Sequence, residues 1–203
     1  MRYFANPSTP AVREAMSAGL IDCIVTPAQG NKIPLGAWVC ADNGCFGKGY
    51  PGDEKWWAWG QALPRERVRF VVAPDVVADA AATLERSVPW LAKIRSLGLP
   101  AAFVAQDGLE NMTVPWDEFD TLFIGGSTEW KLSRHAVELT REAKARGKWV
   151  HMGRVNSLSR MKRAWFSGCD SADGTYIAFG PDVNLPKVLG WLRSLAQPTL
   201  WES

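Results

Sequence analysis

Acidic, amide and glycine residues follow one apolar run after another along this chain. Asp42 and Asn43 follow the run ending "WVCA", Asp75 follows "VVAP", and Gln106 and Asp107 follow "FVA". Gly125 and Gly126 close "LFI", Gly153 follows "WVHM", and Asp170 and Asp173 lie within "GCDSAD". Carboxylates gathered at one place can act as nucleophiles or exchange protons with a substrate. An amide both donates and accepts hydrogen bonds, and glycines leave room for a flat ligand. Each residue alone also has a plainer use, because Asp, Asn and Gly commonly close turns or cap helices after a strand. Asp75 can cap the next helix, Asp107-Gly108 can be a simple turn, and Asn43-Gly44 a tight one. Repetition across run ends is what points to chemistry, provided the fold brings those ends together.

The apolar runs have the length and β-branched content of buried parallel strands. They fall at "RYFA" (2–5), "DCIVT" (22–26), "AWVCA" (37–41) and "VRFVVA" (68–73). Four more follow at "AAFVA" (101–105), "TLFIG" (121–125), "KWVHMG" (148–153) and the more polar "GCDSAD" (168–173). Helical patterns intervene. "TPAVREAMSAG" carries Pro10 in its first turn and Gly19 as a stop, and "KLSRHAVELTREAKARG" has Ser133 as N-cap and a basic last turn. "DVVADAAATLERSVPWLAKIRSLG" is long, and Pro89 is expected to break or kink it. "SLSRMKRAWFSG" and "LPKVLGWLRSLAQ" complete the set, while segments 27–36 and 107–120 are too irregular for full helices.

Eight strands with mostly helical crossovers predict an α/β chain folded as a compact (β/α)8 TIM-like barrel, one domain over residues 1–203. Typical barrels have about 250 residues, so some helices must be short or missing. A doubly wound open sheet is the competing architecture, and the lack of a GxGxxG after the first strand weakens its dinucleotide-binding form. In a parallel barrel the strand C-termini converge on one mouth, which would gather the polar residues above.

Composition is ordinary for a globular protein, with 47% hydrophobic and 22% charged residues, and a net charge of +2 neither requires nor excludes a nucleic-acid partner. No run of about 18 apolar residues and no basic-then-apolar start is present, so a cytoplasmic location is expected. Cys23, Cys40, Cys45 and Cys169 have no clustered spacing, which speaks for buried reduced thiols rather than a zinc site. Of the eleven tryptophans, one within "KWWAWG" is expected to stay exposed.

The run ends resemble the tRNA-guanine transglycosylases. "ADNGCFG" is similar to that family's "TDSGGFQ", with Asp42, Gly44 and Phe46 on matching positions. "APDVV" falls where the family has its base-reading Asp, and "FVAQDG" resembles "GIVQGG". "FIGGS" resembles the "GGLAVGE" region, "WVHMGRVNS" is similar to "YLMGVGTP", and "GCDSADG" to "GIDMFDCV". The six matches keep the family's order over residues 37–174. The chain departs from the pattern in lacking the clustered Cys/His zinc segment and the "PTR" after the nucleophile, and in its shortness. Those losses resemble the DpdA-like DNA-guanine transglycosylases of phages and bacterial modification clusters, which insert 7-deazaguanine bases into DNA.

The resemblance implies a barrel without a zinc subdomain that exchanges guanine for a 7-deazaguanine derivative (preQ0-like) in double-stranded DNA, with no cofactor. A phage-encoded form would act in the host cytoplasm. Asp173 is the implied nucleophile and Asp42 the acid/base; Asp170 is the rival for Asp173, three residues away and so facing differently on one strand. Asp75 and Gln106 are the implied readers of the purine edge, with Gly125, Gly126 and Asn43 beside it and Phe46 stacked on it. A base in duplex DNA must flip to be reached. Arg154, Arg160, Lys162 and Arg163 are the expected phosphate contacts, although they also suit a solvated helix face; Lys48, Lys55 and Arg65 form a second set. His151, within an apolar run, reads as a packed, hydrogen-bonded residue. Two other functions fit the same residues: a transglycosylase acting on tRNA, and a non-catalytic barrel that binds a purine or nucleic acid.

Overall fold

The computed structural model describes residues 1–196 apart from Asn31 and Lys48. Eight parallel strands close into a barrel in chain order: β1 (Arg2–Ala5), β2 (Asp22–Val25), β3 (Val39–Ala41), β4 (Val68–Val72), β5 (Ala101–Ala105), β6 (Thr121–Ile124), β7 (Trp149–Met152) and β8 (Ser171–Asp173). Closure is made by β8 on β1, with Arg2 opposite Ser171 and Phe4 opposite Asp173. All eight expected strands are present, several one or two residues shorter than their apolar runs.

Side chains alternate along each strand, and two apolar layers result. Phe4, Ile24, Cys40, Phe70, Val72, Ala102, Val104 and Phe123 fill the barrel interior. The intervening residues, such as Tyr3, Cys23, Val39, Val71, Phe103, Leu122 and Val150, pack outward under the helices. The lower end is closed by polar residues. Arg2 pairs with Asp22, and Arg69 lies between the Trp38 and Trp149 rings, 4.2 and 4.6 Å from their centroids.

The outer helices are α1 (Pro10–Ser17), α2 (Asp53–Gln61), α3 (Ala80–Ser96), α4 (Thr128–Lys131), α5 (Arg134–Ala145), α6 (Leu158–Ser167) and α7 (Pro181–Ala196). Segment 27–36 has no helix among its described residues, and 107–120 holds only two single 3₁₀ turns. The segment "KWWAWG" lies on α2, which apolar periodicity did not reveal; Trp56 is buried and Trp57 and Trp59 are half-buried, so none of these rings stands free. Ser133 occupies the N-cap position of α5 without a side-chain bond to the helix.

Pro89 does not break α3. An interior proline costs about 3 kcal/mol, and this helix is held on both sides of it. Thr83 and Ser87 donate through their hydroxyls to the Val76 and Pro74 carbonyls, and Leu91 and Ile94 are buried beyond the proline. The same helix therefore clamps the loop after β4. Among the described residues no helix is long and apolar enough to cross a membrane.

Candidate functional site

The mouth residues continue the inward alternation by one step past the apolar interior. Phe4 leads to Asn6, Ile24 to Thr26, Cys40 to Asp42, Val104 to Gln106, Phe123 to Gly125, His151 to Gly153 and Ser171 to Asp173. These seven residues, together with Gln29, Asn43, Phe46, Asp75, Gly126, Arg154, Gly174 and Thr175, border one cavity of about 230 Å³. At about 30 Å³ per water molecule this is room for roughly eight waters, the scale of a single small heterocycle.

Three carboxylates share that cavity. The Asp42 carboxyl is pushed up to about 7, chiefly by burial and further by the negative charges of Asp173 and Asp75; the Gly44 and Asn43 amides oppose this only partly. Asp75 is raised by burial and held down by its donors. Its two oxygens accept from Asn43 Nδ2 at 2.8 Å and Gln106 Nε2 at 2.5 Å. The N-cap of α3 is Asp79, which accepts from Ala82 at 3.0 Å, so Asp75 is free of capping duty. Arg86 donates to the Asp75 carbonyl at 2.9 Å, adding to the clamp from α3.

Asn43 and Gln106 hold Asp75 more than they face a ligand. Both Asn43 amide hydrogens are used, on Asp75 and on the Ala73 carbonyl at 2.7 Å, and its oxygen accepts from the Cys45 amide at 2.7 Å. The expected turn is also there, with Gly44 at φ 80°. Gln106 Oε1 accepts from the Ala78 and Gly126 amides, both at 2.9 Å, which leaves one amide hydrogen for a base edge. Asp107 is structural, since its carboxylate takes the Ser127 amide and hydroxyl, each at 2.6 Å.

Asp170 is not part of the site, contrary to expectation. It precedes β8 and so lies at the lower end of the barrel, about 10 Å along the chain direction from Asp173 at about 3.3 Å per residue. Its carboxylate accepts from Lys144 Nζ at 2.7 Å and from the Val150 amide at 2.8 Å. Asp173, at the upper end, borders the cavity and is bonded to His151 Nε2 at 2.9 Å.

The expected basic set divides. Arg154 enters the cavity wall: it adopts φ 59°, bonds the Gly125 and Gly126 carbonyls, and places its guanidinium 4.1 Å from the Phe46 ring centroid. Phe46 itself is 62% exposed at the rim. Arg160 donates to the Arg154 carbonyl at 3.5 Å, whereas Lys162 and Arg163 are exposed on α6, with Arg163 reaching the Leu132 carbonyl at 2.8 Å. Lys55 is exposed on α2, Arg65 lies in the turn that enters β4 at the lower end, and Lys48 is outside the described residues.

Sequence reading missed Asn6, Thr26, Gln29 and Thr175, uncharged residues that form the cavity wall on the β1, β2 and β8 side. The step of two beyond Phe4 and Ile24 was the signal that could have found Asn6 and Thr26. It also missed Lys131, whose buried ammonium donates to the Gly153 carbonyl at 2.7 Å. Burial is the main cause that lowers this lysine to about 7, with Arg154 adding to it. Among the described residues no cluster of His, Cys, Asp and Glu is arranged to hold a metal ion.

No protein-family model matches the chain, and no curated protein matches it in sequence. Solved structures do match in shape. An HpcH/HpaI aldolase from Desulfitobacterium hafniense is 11% identical with a TM-score of 0.52, covering 100% of this chain and 95% of that one. A 3-hexulose-6-phosphate synthase from Salmonella typhimurium is 14% identical with a TM-score of 0.50, covering 96% of this chain and 100% of that one. At such identities the likeness shows the barrel fold alone.

Proposed function

We infer that the chain is a base-exchanging transglycosylase that replaces guanine in DNA with a 7-deazaguanine base through a covalent ester on Asp173. The observation that carries this reading is the meeting of Asp42, Asp75 and Asp173 in one cavity of single-base size, with Asp42 poised near neutrality. The resemblance of their motifs to the guanine transglycosylases supplies the reaction class.

In the first half-reaction the Asp173 carboxylate attacks C1′ of a flipped nucleotide. The C1′–N9 bond breaks, its electron pair leaves with the base, and protonated Asp42 supplies the proton that neutralises departing guanine. In the second half, Asp42 takes the N9 proton of the incoming deazaguanine, which attacks C1′ and releases the Asp173 carboxylate. A group titrating near 7 can serve in both directions. Asp75, fixed by its two amide donors, accepts from the N1–H and exocyclic amine of the purine, and Phe46 with Arg154 covers the base at the rim.

Nucleoside mass spectrometry of DNA incubated with the protein and candidate deazapurines tests this directly. Modified deoxynucleosides and released guanine in equal amounts are expected. A parallel tRNA reaction decides the polymer, and product only there moves the assignment to RNA. Base binding without turnover on either polymer would make the barrel a binding protein.

A further inference from the structure

His151 faces the barrel interior from the centre of β7 and is wholly buried. Phe4, Phe70 and Phe123 surround its ring at centroid distances of 5.8, 5.2 and 4.6 Å. Its Nε2 lies 2.9 Å from Asp173 Oδ1 and its Nδ1 lies 2.9 Å from Ser171 Oγ. Ser171 Oγ in turn lies 2.8 Å from Trp149 Nε1. Four side chains from two neighbouring strands thus form one chain of hydrogen bonds that runs up the barrel axis into the site.

The protons in this chain have a definite order. An indole N–H can only donate, so Ser171 Oγ accepts from Trp149. The other bond of Ser171 Oγ is to His151 Nδ1. If the ring donated there, the buried hydroxyl proton would be left without an acceptor, which is costly. The hydroxyl therefore donates to Nδ1, and the ring proton sits on Nε2, aimed at the Asp173 carboxylate.

We propose that Trp149, Ser171 and His151 are positioning residues for Asp173: a chain of fixed tautomer that pins Oδ1 and leaves Oδ2 as the oxygen presented to substrate. Among the described residues Asp173 Oδ2 has one hydrogen-bond partner, the Arg154 amide, at 3.5 Å. A neutral donor holds the carboxylate without cancelling its charge, which a lysine or arginine at the same distance would do. The tautomer itself stands on the geometry alone. That Oδ2 attacks C1′ rests on the base-exchange reading.

The protein has two histidines, and His135 is exposed on α5, so long-range ¹H–¹⁵N correlation resolves both rings, with His135→Gln giving the assignment. At neutral pH the His151 ring is expected as the Nε2–H tautomer, held there by the Asp173 carboxylate, which can only accept; in Ser171→Ala the proton is expected to stay on Nε2 while the Nδ1 resonance moves because its hydroxyl donor is gone. An Nδ1–H ring in the wild type, or an Nδ1 resonance that does not move in Ser171→Ala, overturns the proposal. For the role, His151→Leu is compared with His151→Gln, whose amide can offer a neutral N–H to Asp173. His151→Leu is expected to lower kcat by about tenfold to a hundredfold with little change in KM for the base, and His151→Gln to recover most of the loss. Equal losses in two variants of equal thermal stability overturn the positioning role. A wild type that turns over no polymer removes the base-exchange reading, and the tautomer pair then decides the chain by itself.

Discussion

At the scale of single residues, Asp42 carries the most chemical information. Its carboxyl rises from 3.8 to about 7 because burial and two neighbouring carboxylates disfavour its charge. The rate of guanine release should therefore fall as pH rises through about 7, while addition of the new base should fall as pH drops below it. Single-turnover rates of the two halves against pH would show crossing profiles, and parallel profiles would remove Asp42 from the acid/base role. The Asp42→Asn variant should slow both halves by about 10²- to 10⁴-fold. Stability should move the other way. The folded state keeps a proton on Asp42 between about 4 and about 7 that the unfolded chain has lost, so this group stabilises below the window and costs stability above it. In urea at pH above 7, Asp42→Asn should be more stable than the wild type by about 1–4 kcal/mol. Asp173→Ala should leave the fold intact and yield no covalent sugar adduct in trapping experiments, with turnover lost by about 10⁴-fold or more. An adduct that persists in this variant would place the nucleophile elsewhere.

At the scale of elements, the short helix α4 and the turn before it organise the β6 and β7 side of the mouth. Gly126 sits at φ 58°, and a Cβ there would lie 2.4 Å from Trp130 Cε3 and 2.9 Å from Asp107 Oδ1. Gly126→Ala should cost about 2 kcal/mol or more, read as a lowered urea midpoint, because strain and a clash against a packed ring act together. Lys131, at the end of α4, is lowered from 10.5 to about 7, so the folded state binds fewer protons than the unfolded chain across that interval. Stability from this group is lowest below about 7 and rises towards about 10. The difference in unfolding free energy between wild type and Lys131→Met should accordingly shift in favour of the wild type as pH rises from 7 to 10. A difference independent of pH would mean that the ammonium is not desolvated. Neither feature was visible in the sequence. Most strand positions were legible because buried parallel strands write themselves as apolar runs, and Asp42 and Asp75 because a polar residue ending such a run is conspicuous; Asp173, in the polar "GCDSAD", was singled out by the motif resemblance. The work done by Asn43 and Gln106 was hidden, since their amides are consumed by a carboxylate thirty residues away in sequence, and only the closed barrel brings the partners together. Asp170 misled for a related reason: a three-residue strand has its two ends close in sequence, yet one end faces the mouth and the other the floor. Pro89 misled because propensity is local, whereas the bonds from Thr83 and Ser87 that keep α3 whole are tertiary.

At the scale of the molecule, the proposed exchange places one base in the cavity, and the remainder of the polymer would then lie across the surface. The net charge of +2 provides little general attraction, so under that proposal the distribution of charge would decide where a strand is held. Helix α6 begins beside the mouth, where Ser157 caps it through the Arg160 amide, and carries the exposed Lys162 and Arg163 in its middle; Trp165 and Phe166 follow at its far end, where Trp165 lies with Met1, Arg2 and Asp170 at the lower end of the barrel. Cations there can supply sequence-independent phosphate contacts. Arg154 belongs to a different class, because its guanidinium is spent on Phe46 and the Gly125 and Gly126 carbonyls inside the cavity wall. The two groups should separate experimentally. A Lys162→Ala/Arg163→Ala variant should weaken DNA binding similarly for all sequences and reduce the slope of log affinity against log salt by about 2, with the KM for the free base unchanged. Arg154→Ala should raise the KM for the base and leave that slope nearly as it was. If the salt slope instead responds to Arg154 and not to the α6 pair, the polymer crosses the mouth from the β3 side over Phe46, and α6 is an ordinary solvated helix.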